Sequence, residues 1–141
     1  MSENLQHEEF KLFLATATLN WQPNETIHKF NLPNKESVSC VLWNGIFYIS
    51  GTDIVRSLVY RLNCLGRNII NPKKFEEGVF SDLRNLKPPA NASLEEARSD
   101  FLQFLYENNC IRTQKKQKVF FWHSVKFDKL FFVLLILYRM H

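Results

Sequence analysis

Apolar positions first recur at Phe10, Phe13, Leu14 and Ala17, the spacing of one helical face, and predict an amphipathic helix over 4–18. Residues 21–34, with Pro23, Pro33 and several Asn, break that period and predict a loop with room for one short strand. Two β-branched and aromatic runs follow, Val38-Ser39-Cys40-Val41-Leu42-Trp43 and Ile46-Phe47-Tyr48-Ile49, joined by Asn44-Gly45. Asn-Gly tolerates positive φ at both central positions of a type I′ turn, so a β-hairpin is predicted near 38–50. Gly51-Thr52-Asp53 ends the strand and supplies cap residues for a helix to about Leu65, with Ile54, Val55, Leu58, Val59 and Leu62 as its core stripe.

Asn71-Pro72 opens a further predicted helix, carrying Phe75, Val79, Phe80 and Leu83 and ending before Pro88-Pro89. Gly78 inside it is a weak helix former. Ser93 with Glu96 three residues on has the form of a capping box and predicts a helix over 93–108, with Leu94, Ala97, Phe101, Phe104 and Leu105 inward. The polar run 112–118 cannot be core. Val119-Phe120-Phe121-Trp122 predicts a short buried strand, and from Phe127 the pattern is helical to the end. No internal repeat is present.

Composition adds that 141 residues, 45% apolar with 13 Phe, suit one folded domain. The net charge of +4 is unevenly spread. Residues 1–60 hold four cations against six acids, and residues 61–141 hold fourteen against eight. A basic second half points to a polyanion, nucleic acid or an acidic membrane surface, or to a merely solubilising surface. The three cysteines are far apart and form no C-x-x-C pair, and the four histidines are scattered. That pattern argues against a disulfide framework and a zinc site, and for reduced, buried thiols. The acidic, amphipathic N-terminus is unlike a signal peptide. No Gly-rich phosphate loop, nucleophile elbow or paired carboxylates is evident, so neither an enzyme nor a cofactor is expected.

Six blocks carry a resemblance. They are Phe13-Leu14-Ala15-Thr16-Ala17 with Trp21; Val38-Ser39-Cys40-Val41 with Trp43; Gly51-Thr52-Asp53-Ile54-Val55-Arg56; Lys73-Lys74-Phe75-Glu76-Glu77-Gly78; Phe80-Ser81-Asp82-Leu83-Arg84-Asn85-Leu86-Lys87; and the segment from Arg112 to Trp122. In order and spacing the chain resembles, over roughly 8–130, the DNA-binding domain of the fungal STE-like (sterile, pheromone-response) transcription factors. The resemblance implies a nuclear, homeodomain-like, helix-turn-helix-type domain, here expected as α+β and predominantly helical with the one hairpin. It implies binding to double-stranded DNA at TGAAAC-like pheromone-response elements. It also implies control of mating, filamentous or invasive growth genes below a mitogen-activated kinase cascade, with other transcription factors or a second copy as partners. Residues 1–130 are expected to form this domain and 131–141 an atypical apolar tail. The family continues this last helix with alternating charges, whereas Leu130–Tyr138 is nine apolar residues. A membrane span needs about 20, so the run is a buried or oligomer-forming segment, or a product of truncation or frame change.

Three groups of residues are candidates for DNA contact. Arg56, Tyr60, Asn63 and Arg67 fall at helical spacing and are expected along one face away from the core stripe, suited to base edges and phosphates or simply a polar face. Lys73, Lys74, Arg84 and Lys87 flank the helix after Asn71; the first two oppose its dipole, which leaves them no stabilising role there. In 112–118, Arg112, Lys115, Lys116 and Lys118 suit phosphate, and Gln114 and Gln117 suit adenine edges; the alternative is a solvated loop. Phe120, Phe121 and Trp122 either fill the core or stack on unpaired bases, which keeps an RNA or single-stranded DNA module open as an alternative. A protein-only transcriptional adaptor is the other. The helix over 93–108, opening on Glu95 and Glu96, is expected to be scaffold.

Overall fold

A computed structural model describes residues 2–138 of the chain, with side chains described for 5–137. Helix α1 is Ser2–Thr16, β1 Ile27–Asn31, β2 Ser37–Trp43, β3 Ile46–Ser50, α2 Gly51–Cys64 and α3 Pro72–Leu83. Strand β4 is Ala92–Glu95, α4 Asp100–Glu107 and β5 Gln117–Phe121; a 3-10 turn, Trp122–Ser124, leads into α5, Phe127–Tyr138. Residues 139–141 of the predicted tail lie outside the described residues.

The strands form one antiparallel five-stranded sheet in the order β1-β2-β3-β5-β4. The expectation of a predominantly helical, homeodomain-like, helix-turn-helix-type domain with one hairpin is therefore overturned. The chain is a mixed α+β fold with the predicted hairpin at the centre of a larger sheet. Asn44 and Gly45 both have positive φ, 49° and 79°, as a type I′ turn requires.

Both faces of the sheet are covered. Along β2, Val38 and Cys40 enter one core and Val41 the other; Ile49 and Tyr48 divide likewise on β3, and Phe120 and Val119 on β5. This is the strand's two-residue alternation with apolar side chains on both sides. The larger core holds α1, α2, α3 and α5; the smaller holds α4, where Trp43 stacks on Phe101 with ring centroids 4.9 Å apart.

Caps match the sequence in one place and depart in two. Asn71 caps α3 by accepting from the amide of Lys74 at 3.1 Å, with Pro72 as the first helical residue. Helix α2 is capped by Ser50, ahead of the expected cap residues Thr52 and Asp53, and its hydroxyl accepts from Asp53 N at 3.0 Å. The helix expected from Ser93 does not form there. Residues 92–95 pair with β5 as the edge strand β4, and Ser99 caps α4 by accepting from Leu102 N at 3.2 Å. A local cap signal lost to ladder hydrogen bonds with β5.

The apolar run is part of α5, where Phe131 and Leu134 are buried in the larger core and Phe132, Val133, Ile136 and Leu137 are exposed. Among the described residues no helix is long and apolar enough to cross a membrane. Cys40, Cys64 and Cys110 are buried and not disulfide-bonded; burial pushes the Cys40 and Cys110 thiols up to about 12.

Arg61 ties three helices together. It is 1% exposed, donates from Nε to His7 Nε2 at 3.1 Å, lies 3.0 Å from an Asp128 carboxylate oxygen, and sits 4.0 Å over the Phe131 ring. His7 can accept that bond only while neutral. Burial lowers its proton affinity from the ordinary 6.5, helped by Arg61 and Lys11 against the weaker pull of Glu8 and Asp128. The folded state thus binds protons less readily at His7 than the unfolded state does. Its contribution is complete above 6.5 and is lost as pH falls below that value. Thermal melts from about pH 7 to about pH 5 should show the wild-type melting temperature falling more steeply than that of His7→Gln, which keeps an acceptor but does not titrate. Parallel curves would show that His7 is not linked to folding.

Candidate nucleic-acid interface

Helix α2 is enclosed by α1, α3, α5 and the sheet, and ten of its fourteen residues are buried. The four candidates expected along one free face of it therefore separate. Tyr60 is buried, its ring 5.2 Å from Phe10 and 5.9 Å from Phe30. Arg56 has a side chain only 12% exposed; one terminal nitrogen donates to Asp53 at 3.0 Å and to the Asn109 carbonyl at 2.7 Å, and Nε lies 3.5 Å from Glu36. Asn63 and Arg67, near and beyond the end of the helix, are exposed. The polar-face expectation fails for Arg56 and Tyr60 because α2 packs on several sides, which a single core stripe does not anticipate.

Asp53 explains the cost of disturbing Arg56. It is 1% exposed and accepts from Ser39 N at 3.0 Å as well as from Arg56. Burial raises its carboxyl from 3.8 to about 7, against the lowering effects of the Ser39 amide and Arg56.

The structure does gather several candidates. Asn63, Lys73 and Arg112, with the edges of Arg56 and Tyr60, line an open groove of about 640 Å³ between α2, α3 and the β1–β2 turn. Glu36 and Glu76 share it, and Arg112 pairs with Glu76 at 3.2 Å. The groove is close to electrically balanced.

The basic segment 112–118 is partly committed to its own fold. Gln117 donates from its amide to the carbonyls of Thr113 at 2.9 Å and Lys115 at 2.8 Å, which closes the turn. The Gln114 carbonyl accepts from Arg98 N at 2.9 Å, and its side chain is half-buried. Lys116 lies 3.5 Å from Glu96, both exposed, and Lys115 is exposed. Lys118 is the least free. Its ammonium donates to the Leu83 and Leu86 carbonyls at 3.2 and 2.8 Å, at the C-terminal end of α3, where a cation also complements the helix dipole.

The buried stripe of helix α3 is Phe75, Val79 and Leu83, and the Phe80 ring lies against Gly51. Lys73, Lys74, Glu77, Gly78, Ser81 and Arg84 are exposed, and Lys87 follows on the next turn. Glu77 and Ser81 were not among the sequence candidates. The only sequence signal for them is their position opposite the apolar stripe, between two pairs of cations.

The fold and this surface define a class: a mixed α+β domain presenting a helix with cations at both of its ends and an adjoining cationic turn. The chain belongs to the family of STE like transcription factors, whose family model matches residues 11–136. It is similar to the transcription factor MST12 of Pyricularia oryzae, 62% identical over 126 residues, 89% of this chain and 18% of that protein. It is 60% identical over 124 residues to the transcription factor CPH1 of Candida albicans, 87% of this chain and 19% of that protein, and 56% identical over 124 residues to the protein STE12 of Saccharomyces cerevisiae, 87% and 18%. The chain thus spans about a fifth of the length of these curated relatives. No solved structure matches it.

Removing Arg56 would leave Asp53 buried beside only the Ser39 amide. Arg56→Ala should lower unfolding stability by about 3 kcal/mol, whereas Arg67→Ala, exposed just beyond the same helix, should change it by less than about 0.5 kcal/mol. Urea titrations of both variants decide this, and equal midpoints would remove the structural role assigned to Arg56.

Proposed function

We propose that this chain is the sequence-specific, double-stranded DNA-binding domain of a transcription factor acting in the nucleus on TGAAAC-like elements. The observation that carries the reading is the placement of free cations. Eleven exposed Lys and Arg form no ion pair among the described residues, and four of them, Lys73, Lys74, Arg84 and Lys87, lie on or directly after the one helix α3. Such cations release counterions when they neutralise phosphate, which supplies affinity. Family membership supports the same reading, and two of the relatives are named transcription factors. Regulation of mating, filamentous or invasive growth genes below a mitogen-activated kinase cascade, with other transcription factors or a second copy as partners, belongs to this proposal.

A duplex is favoured over single strands by the aromatic packing. Phe120 and Trp122 are buried, and Phe121 is half-buried with its ring 5.5 Å from Tyr48. These rings are not a platform for unpaired bases, the feature that single-strand binders need.

The test is a fluorescence-anisotropy series at several salt concentrations. Affinity for a duplex carrying TGAAAC should exceed that for a scrambled duplex by about tenfold or more, at least about 1.4 kcal/mol. Both should weaken as salt rises. Equal affinity for the two would refute specificity, tighter binding of the single strand would transfer the function to a single-strand module, and no salt-dependent binding at all would favour the protein-only adaptor.

A further inference from the structure

Helix α3 contains choices that its own stability does not explain. Lys73 and Lys74 stand in its first turn, where no acidic residue offsets them and the helix dipole opposes them. Gly78 stands mid-helix with ordinary helical backbone, and a Cβ added there would meet nothing within 4 Å. Neither a turn nor close packing inside the domain calls for glycine at that position. Glycine there weakens the helix relative to alanine.

The outward face has an order. Opposite the Phe75, Val79 and Leu83 stripe, Glu77 and Ser81 are central, with Gly78 beside Ser81. Lys73 and Lys74 lie at one end, and Arg84 and Lys87 at the other. At about 1.5 Å per residue, Lys73 and Arg84 are separated by about 16 Å along the axis. The major groove of B-DNA is about 12 Å wide, with phosphates on its rims and base edges on its floor. Cations at both ends with an acid and a hydroxyl between them match that cross-section. A uniformly anionic surface would repel Glu77.

The second cationic end is assembled by Lys118. By donating to the Leu83 and Leu86 carbonyls, it fixes the end of α3 and stands near Arg84 and Lys87. Among the described residues none of the three has an anionic partner. Burial lowers the proton affinity of Lys118, and repulsion from Lys87 and Arg84 lowers it further. A phosphate near the three relieves that repulsion.

We propose that α3 lies across the major groove of duplex DNA, with Glu77 and Ser81 toward base edges, Gly78 leaving room for close approach, and Lys73–Lys74 and Arg84–Lys87 on phosphates of opposite rims. Lys118 is a positioning residue for the second pair. This rests on the DNA-binding reading above and adds the surface and its orientation.

The test uses the 141-residue chain and the same TGAAAC duplex. Gly78→Leu improves helix propensity and its Cβ enters open space on an exposed face, so its melting temperature should equal or exceed that of the wild type. Its duplex affinity should nevertheless fall by about tenfold or more, with the salt slope unchanged because no charge is lost. Arg84→Ala and Lys87→Ala should each reduce the slope of log affinity against log salt by about 0.9. In a Lys118→Met background the further effect of Arg84→Ala should shrink, the non-additivity expected if Lys118 acts through its neighbours. A stably folded Gly78→Leu with wild-type affinity overturns the proposal, as does Arg84→Ala with an unchanged slope, which does not depend on how the Gly78 variant folds. Either result leaves DNA binding itself standing. A wild-type chain with no affinity for the duplex overturns the underlying reading together with this one.

Discussion

The buried Asp53 carboxylate is the constraint around which the domain is arranged. It accepts from the Ser39 amide of β2 and from Arg56, and Arg56 in turn reaches the Asn109 carbonyl after α4 and Glu36 in the β1–β2 turn. Ser50 completes the junction: its hydroxyl caps α2 at Asp53 N and donates to the Cys110 carbonyl at 2.6 Å. One short stretch at the end of β3 thus fixes the sheet, the direction of α2 and the segment after α4. A carboxylate this deeply enclosed is tolerable only with its donors in place. The position of α2 then decides where α3 can pack and which of its faces is left to solvent.

What the sequence reveals and what it hides follow from the range of the interactions. The central hairpin was legible because Asn44-Gly45 is a local backbone requirement, and the α3 cap because Asn71-Pro72 carries its own cap geometry. Strand β4 was not legible. Ala92–Glu95 contains a plausible helix start, and only pairing with β5, more than twenty residues later in the chain, makes it a strand. Strand β1 has the same difficulty: Ile27–Asn31 is only partly buried and takes its conformation from β2. With Ala92–Glu95 read as helix, β1 only allowed for within a loop and the strand at 119–122 given no partner, the five-stranded sheet looked like a hairpin among helices, and the homeodomain-like label looked acceptable.

How free each candidate cation is was not legible, for a similar reason. Residue type identifies cations, but only the fold says which of them are already satisfied. Arg56 and Lys118 resembled contacts for a polyanion, and both donate to partners within the domain. Arg112 and Lys116 have acidic neighbours at 3.2 and 3.5 Å. Lys73, Lys74, Arg84 and Lys87 looked no different in the sequence, yet they remain exposed. Periodicity alone placed Tyr60 on an outward face because it assumed that α2 had one buried side.

The contrast between α2 and α3 separates residues that the fold requires from residues that it does not. In α2 nearly every local feature agrees with the fold: a serine cap, an acid in the first turn, a basic residue in the last, and buried side chains on several sides. In α3 the cap and the apolar stripe agree with the fold, while the lysines of the first turn and the mid-helix glycine do not. Sequences that fold well are locally consistent, and departures concentrate where another requirement acts. Here the departures share one solvent-facing surface, on a helix held by its apolar stripe, by Phe80 against Gly51, by the Glu76–Arg112 pair and by a lysine at its end. Side chains on that surface can vary with little effect on the core, because none of them packs into it. A domain built this way can vary that surface while keeping the Asp53 junction and both cores unchanged.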